Sequence, residues 1–188
     1  MTRFLYRLVT ALSMAAGRGP AARVAVELAA PRAGDAVVDV GCGPGTAARA
    51  AQRAGASVVG IDPDPLMLAL ARPLSLRRRG VRWVLGRAES LPLPGGSATI
   101  VWALSSLHDW ENRAAGIAEV ARVLASGGRF LVLERLVAPG ARGHAAHGLT
   151  AAPVGELANE LRTAGFAEVS DTQRQLGSRV LAVVDGRR

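Results

Sequence analysis

The run Val37-Val38-Asp39-Val40-Gly41-Cys42-Gly43-Pro44-Gly45 gathers residue types that together can hold a small charged ligand. β-Branched residues lead into glycines at 41, 43 and 45, and a helical pattern begins near Thr46. Such a turn lets a ligand come close to the backbone, and the free N–H groups at the helix start favour an anionic group. A dinucleotide-binding turn needs glycines at its first, third and sixth positions. Here they fall first, third and fifth, with Thr46 sixth. Asp39 lies two places before the first glycine, where its carboxylate suits a cationic ligand end or braces the turn. The plain alternative for the three glycines is a tight structural turn. Cys42, enclosed among them, reads as small filler and not as a nucleophile.

Other positions could complete a site. Asp62 closes the next apolar run and, within Asp62-Pro63-Asp64, can cap the following helix. Met67 stands one turn into that helix and reads as a cover for a ligand ring or as core. His108 has three readings: a general base, a lining residue of an acceptor pocket, or a satisfied structural histidine. Of its flanking tryptophans, Trp110 suits a pocket wall and Trp102 the core. Glu134 ends a predicted strand, as an acceptor contact or a surface salt bridge. His144 and His147 lie in a loop with no carboxylate or cysteine cluster beside them in sequence, so no metal is expected. The single cysteine excludes an internal disulfide and a Cys-only zinc site.

The elements that must position these residues alternate. Strands are expected at 36–40, 57–61, 81–85, 98–104 and 129–133, and helices at 21–30, 47–54, 65–72, 113–124 and 154–164. Gly127-Gly128 stops the fourth of these helices, and residues 166–175 and 179–184 form a closing hairpin across Gly177-Ser178. Alternating β and α predicts a parallel sheet covered by helices on both faces, with an antiparallel strand from the hairpin. The helix at 65–72 could run on into Arg77-Arg78-Arg79, a solvated helix end. Arg3 and Arg7 before Leu8–Ala16 mimic a signal peptide, but no clear cleavage site follows. An amphipathic helix with Phe4, Leu5, Leu8, Val9 and Leu12 on one face is the preferred reading.

With Asp39, Gly41, Gly43 and Gly45 in place, the first segment resembles motif I of the class I S-adenosylmethionine-dependent methyltransferases. Four further stretches agree in order and spacing: Val59–Met67, Gly86–Pro94, Leu107–Trp110 and Ala118–Arg129. The resemblance is to the small-molecule, type-11-like branch and covers about residues 36 to 135. It implies a doubly wound α/β fold, Rossmann-like, with a seven-stranded, mostly parallel sheet and one antiparallel strand in the C-terminal hairpin. It implies S-adenosylmethionine as cofactor, with S-adenosylhomocysteine as product. On this resemblance the cofactor residues are Asp39, Gly41, Cys42, Gly43, Gly45, Asp62, Pro63, Met67, Arg87, Ala88, Glu89 and Ser105. The resemblance implies that Asp62 takes the ribose hydroxyls, and His108 is then the candidate catalytic residue, with Trp110 and Glu134 the candidate acceptor contacts. Two positions depart from the pattern. Arg87 stands where many relatives carry an aspartate that accepts from the adenine amino group. Arginine has no acceptor, so the Ala88 backbone or an inward Glu89 must serve. Thr99 stands where an acid often opens the fourth strand, a position that is usually structural.

The chain of 188 residues divides, on this reading, into N-terminal helices over 1–30 that cover the acceptor end and a cofactor domain over 31–188. It is 49% hydrophobic and 20% charged, as globular proteins are. The formal charge of +8 comes from 23 basic residues, all arginine, against 15 acids. An arginine-only basic set reflects compositional bias, which weakens the case for a polyanionic partner. No stretch offers the roughly 18 apolar residues of a membrane span, and a cytoplasmic protein is expected. The expected acceptor is small, hydrophobic or lipid-like, with peripheral membrane contact through the basic N-terminal helix. A monomer or homodimer is expected. No nucleic-acid partner is expected, for there is no Asn/Asp-Pro-Pro-Tyr-type motif, no catalytic cysteine outside the turn and no aromatic-rich basic patch. An RNA methyltransferase and a non-catalytic cofactor-binding module are the alternatives.

Overall fold

A computed structural model describes residues 19–75, 80–141 and 147–188. The helix expected over the first 16 residues, the Arg77-Arg78-Arg79 cluster and His144 lie outside the described residues.

Chain order is α1 (Gly19–Ala29), β1 (Ala36–Val40), α2 (Thr46–Arg53), β2 (Ser57–Asp62), α3 (Pro65–Ala71), β3 (Val81–Leu85), β4 (Ala98–Leu104), α4 (Arg113–Val123), β5 (Leu124–Arg135), α5 (Ala151–Thr163), β6 (Ala167–Leu176) and β7 (Arg179–Arg187). The sheet has seven strands in the order β3-β2-β1-β4-β5-β7-β6. The first five pair in parallel, and β7 runs against both β5 and β6. β7 is therefore the one reversed strand, as expected.

The period of two along each strand sorts the core into two layers. In β4, Ile100, Trp102 and Leu104 face the layer that α1 and α2 complete, while Val101 and Ala103 face the layer of α4 and α5. β5 divides the same way, Leu131 and Leu133 against Phe130 and Val132. Both faces are buried, which is why these strands read as continuous apolar runs. α1 packs on α2 within its layer, and its Ala21 reaches the turn after β1.

Two elements begin three or more residues earlier than the sequence predicts. β5 starts at Leu124, not at Arg129, because Leu124 pairs with Ala98, and the bend at Gly127-Gly128 is held by two backbone bonds to Arg188. The double glycine is thus a kink inside the strand and not a gap before it. α5 starts at Ala151, ahead of Pro153, since a proline in the first helical turn forfeits no intrahelical bond. Thr99 is structural: its hydroxyl accepts from Ala36 N–H (3.1 Å) and donates to Asp35 (3.0 Å), fastening β4 to the start of β1.

The sheet order places the site. From β1 the chain winds outward through β2 to β3, then returns to β4 on the other side of β1. The loops leaving β1 and β4 part in opposite directions, and a crevice opens at their carboxyl ends.

Candidate active site

A cavity of about 250 Å³ lies in that crevice. Its lining includes Gly41 and Gly43 after β1, Asp62 and Pro63 after β2, Met67 on α3, Arg87, Ala88 and Glu89 after β3, and Ser106, Asp109 and Trp110 after β4. Two more open hollows of about 420 Å³ lie at the opposite, amino ends of the strands.

The glycine-rich turn is built by two carboxylates. Asp39 accepts from Ala48 N–H at 3.0 Å and so holds the first turn of α2, which starts without a side-chain cap of its own. Asp62, 7% exposed, accepts from Gly43 N–H (2.7 Å) and Asp64 N–H (2.9 Å) and ties the β1 turn to the β2 exit. Asp64 caps α3 through Leu66 N–H at 2.9 Å, so the capping role weighed for this acidic pair falls to Asp64. Asp62 faces the cavity.

The motif glycines Gly41 and Gly45 do different work. A Cβ on Gly41, whose φ is +71°, would lie 2.4 Å from Ser106 Cβ, so glycine lets the β4 exit close against the β1 turn. A Cβ on Gly45 would lie 2.2 Å from the Trp83 ring, and one on Gly60 would lie 2.4 Å from it. Trp83 on β3 thus occupies a slot between Gly45 and Gly60. Gly45, Cys42 and Ser105 lie outside the main cavity; Cys42 and Ser105 line a small adjoining cleft with Asp39 and Ala21. Ser105 takes φ +53°, a conformation costing of order 1–3 kcal/mol outside glycine. It is held by its own N–H to Leu133 (2.8 Å) and by the neighbouring Ser106 hydroxyl to Val40 (2.7 Å).

The loop after β3 is clasped from α4. Glu119 accepts from Leu91 N–H at 2.8 Å, and Arg122 donates to the carbonyls of Leu91 (3.0 Å) and Leu93 (2.9 Å). The two side chains also bond each other, and this arginine holds Glu119 below the ordinary glutamate range. Arg87 is exposed and pairs with Glu111 across the cavity mouth. Glu89 is turned toward α4, accepting from Asn112 N–H at 3.1 Å. Burial raises its pKa, but backbone donors, including its own N–H and that of Asn112, and the nearby Arg87 outweigh it and hold the carboxyl low. Both substitutes expected for the missing aspartate, the Ala88 backbone and Glu89, border the cavity, and Glu89 also accepts from Asn112 N–H.

At the other end of the crevice, Glu134 is fully buried (0% exposed). One of its oxygens accepts from Leu107 N–H at 2.7 Å, and the other lies 2.9 Å from Nδ1 of His108. Glu134, expected to meet an acceptor, is buried against His108. With Nδ1 donating to Glu134, Nε2 is the imidazole atom turned toward Asp109, 3.6 Å away. Trp110 forms part of the cavity wall, stacked on Phe130 at 6.5 Å and seated against Gly116. Trp102 is in the core, 0% exposed, and its Nε1 has no hydrogen-bond partner among the described residues. The loop after β5 returns to place His147 beside His108, with ring centroids 5.9 Å apart. The loop's own sequence gives no sign of that approach.

The site is a crevice at a topological switch point, with a glycine turn, an acid at the end of β2 and an oriented histidine after β4. A family model described as a methyltransferase domain matches residues 38–132. The chain belongs to this family of class I S-adenosylmethionine-dependent methyltransferases. It is 37% identical over 122 residues to the demethylmenaquinone methyltransferase of Tropheryma whipplei, a match covering 62% of this chain and 51% of that protein. It is 35% identical over 116 residues to the 27-O-demethylrifamycin SV methyltransferase of Amycolatopsis mediterranei, covering 60% of this chain and 43% of that one. The chain thus spans about half the length of the curated relatives it matches. Among solved structures, the [4+2]-cyclase SpnF superposes with a TM-score of 0.74 at 22% identity, over 90% of this chain and 81% of that one. At that identity the likeness shows the fold alone.

S-Adenosylmethionine fits this crevice by chemistry as well as by family. The ligand carries an ammonium and a sulfonium, and the cavity is lined by Asp62, Asp64, Glu89 and Asp109 against the single Arg87. A chain of net charge +8 thus carries an acid-rich lining at this cavity. Among the described residues no helix is long and apolar enough to cross a membrane.

Proposed function

We propose that this chain transfers a methyl group from S-adenosylmethionine to a small, hydrophobic, quinone-like acceptor. The observation that carries the reading is the cavity beside the Glu134–His108 couple: His108 lies between the lining residues Ser106 and Asp109, with Nε2 3.6 Å from Asp109. Gly41 and Gly43 would border the methionine portion, Asp62 would accept from the ribose hydroxyls, and Met67 with the Ala88 backbone would hold adenine. Bound there, the cofactor supplies an electrophilic methyl group on a sulfonium. The chain's task is then alignment of the acceptor behind that carbon, for which Trp110 offers an apolar face. His108, kept with Nδ1 protonated by Glu134, presents Nε2 to take the acceptor's proton as its oxygen or carbon becomes nucleophilic. The quinone-like class follows the demethylmenaquinone methyltransferase relative and agrees with that apolar face. A cytoplasmic enzyme fits this chemistry.

The test is incubation with S-adenosylmethionine and a panel of hydroxyquinones and hydroxynaphthoquinones, read by mass spectrometry. A product heavier by one CH₂ group supports the reading. Binding of the cofactor with no transfer across the panel would leave a cofactor-binding module instead.

A further inference from the structure

The loop after β5 brings a third donor to His108 and Asp109. His108, Asp109 and His147 each offer one ligand atom, and these atoms all lie within 4.8 Å of one another. We propose that these three residues form a site for a zinc-class divalent ion at the acceptor end of the crevice.

The arrangement matches what such an ion requires. Bonds of about 2.0–2.2 Å in a tetrahedral shell place ligand atoms about 3.3–3.6 Å apart. The Nε2 of His108 and the nearer oxygen of Asp109 are already at 3.6 Å, so small rotations of exposed side chains complete the set. A histidine ligand characteristically donates its other ring N–H to a carboxylate, which fixes tautomer and ring orientation. Glu134 does this for His108 from a fully buried position. His147 is also placed by structure. Leu149 N–H bonds the Arg135 carbonyl and Val137 N–H bonds the Leu149 carbonyl, each at 2.9 Å. Between them Gly148, at φ +147°, passes so close to Arg135 that a Cβ would lie 2.2 Å from its carbonyl oxygen. Two imidazoles and one carboxylate select zinc and its first-row neighbours over magnesium or calcium. Three protein ligands leave a position open to water or to an acceptor oxygen.

A consequence for methyl transfer rests on the function proposed above. An ion on Nε2 occupies the atom that would take the acceptor's proton, so zinc-class ions and base catalysis compete at one nitrogen. Zinc would then inhibit the reaction, and loss of His147 would relieve that inhibition.

The site itself is tested without cofactor or acceptor, by calorimetric titration of Zn²⁺ into the chelator-treated full chain. One ion per chain is expected, with His147→Ala and Asp109→Asn each weakening affinity by at least about tenfold. His147→Ala should leave S-adenosylmethionine binding, titrated separately, at the wild-type value. Absence of one-to-one zinc binding, or variants that bind as the wild type does, would overturn the proposal. Because the zinc titration involves no methyl donor, its outcome is independent of whether the methyltransferase reading holds.

Discussion

Glu134 Oε2 lies 2.9 Å from His108 Nδ1, while its other oxygen accepts from Leu107 N–H at 2.7 Å. One buried carboxylate therefore sets both the backbone that carries the histidine and the tautomer of its ring. Each oxygen is an acceptor for a different donor, and only a carboxylate offers two acceptors in that geometry.

Glu134→Gln separates these demands. An amide has one oxygen and two N–H donors, so either Leu107 N–H loses its partner or the imidazole shifts its proton to Nε2. A ring protonated at Nε2 cannot take a proton there. The turnover rate should fall by roughly 10²-fold or more, with cofactor affinity near wild type. His108→Ala should cost a similar factor, and the double variant should cost little more than either single one. Steady-state kinetics on the three variants, with cofactor titrations alongside, check this; additive losses would show that the two residues act separately.

The slot around Trp83 gives a stability prediction with no catalytic component. Gly60→Ala drives a methyl group to 2.4 Å from the indole, and overpacking of this kind costs about 1–3 kcal/mol. Trp83→Leu in the same chain should recover part of that loss, because the ring atoms in conflict are gone. Thermal denaturation of both variants reads the effect, and an unchanged melting temperature for Gly60→Ala would show that Trp83 has another place to go.

Glu119 and Arg122 make a pH-dependent clasp. The carboxyl of Glu119 is held low by Arg122, so the bond contributes stability at neutral pH and loses it as pH falls through that lowered value. The wild type should therefore lose stability on acidification below the ordinary glutamate value of 4.5, and Glu119→Gln should flatten that part of the profile. Denaturant midpoints measured from neutral to acid pH check the sign. The Leu91–Leu93 backbone hangs from the same clasp, so the variant should also weaken cofactor binding at neutral pH.

The parallel core was legible because strands buried on both faces leave continuous apolar runs, as in Ile100–Leu104, and because α2 and α5 end just before a glycine, Gly55 and Gly165. The turn at 41–45 was legible for a related reason: a chain that must leave a strand and enter a helix within a few residues uses positive φ, and glycine marks it. Reasons for individual glycines were not. Gly45 and Gly60 are 15 residues apart in sequence and meet only through Trp83 on a third strand. The burial of Glu134 was hidden for the same cause, since its partners Leu107 and His108 lie on the neighbouring strand's exit. His147 was read as an isolated loop histidine, because only the return of its loop to β5, through Leu149 and Gly148, brings it to His108. Local pattern reports local geometry; contacts made by closing the sheet leave no mark in it.

Cofactor binding at the end of β2 is the claim on which the rest depends, and calorimetric titration of S-adenosylmethionine into the full chain, beside Asp62→Ala, tests it. Removing Asp62 takes away the acceptor proposed for the ribose hydroxyls and leaves the Gly43 and Asp64 N–H groups without theirs, a loss of about 1–3 kcal/mol for each buried donor. One molecule bound per wild-type chain, with affinity at least about tenfold weaker in a folded Asp62→Ala variant, is the predicted result. A wild-type chain that binds no S-adenosylmethionine, or an Asp62→Ala variant that binds it equally well, would contradict the account.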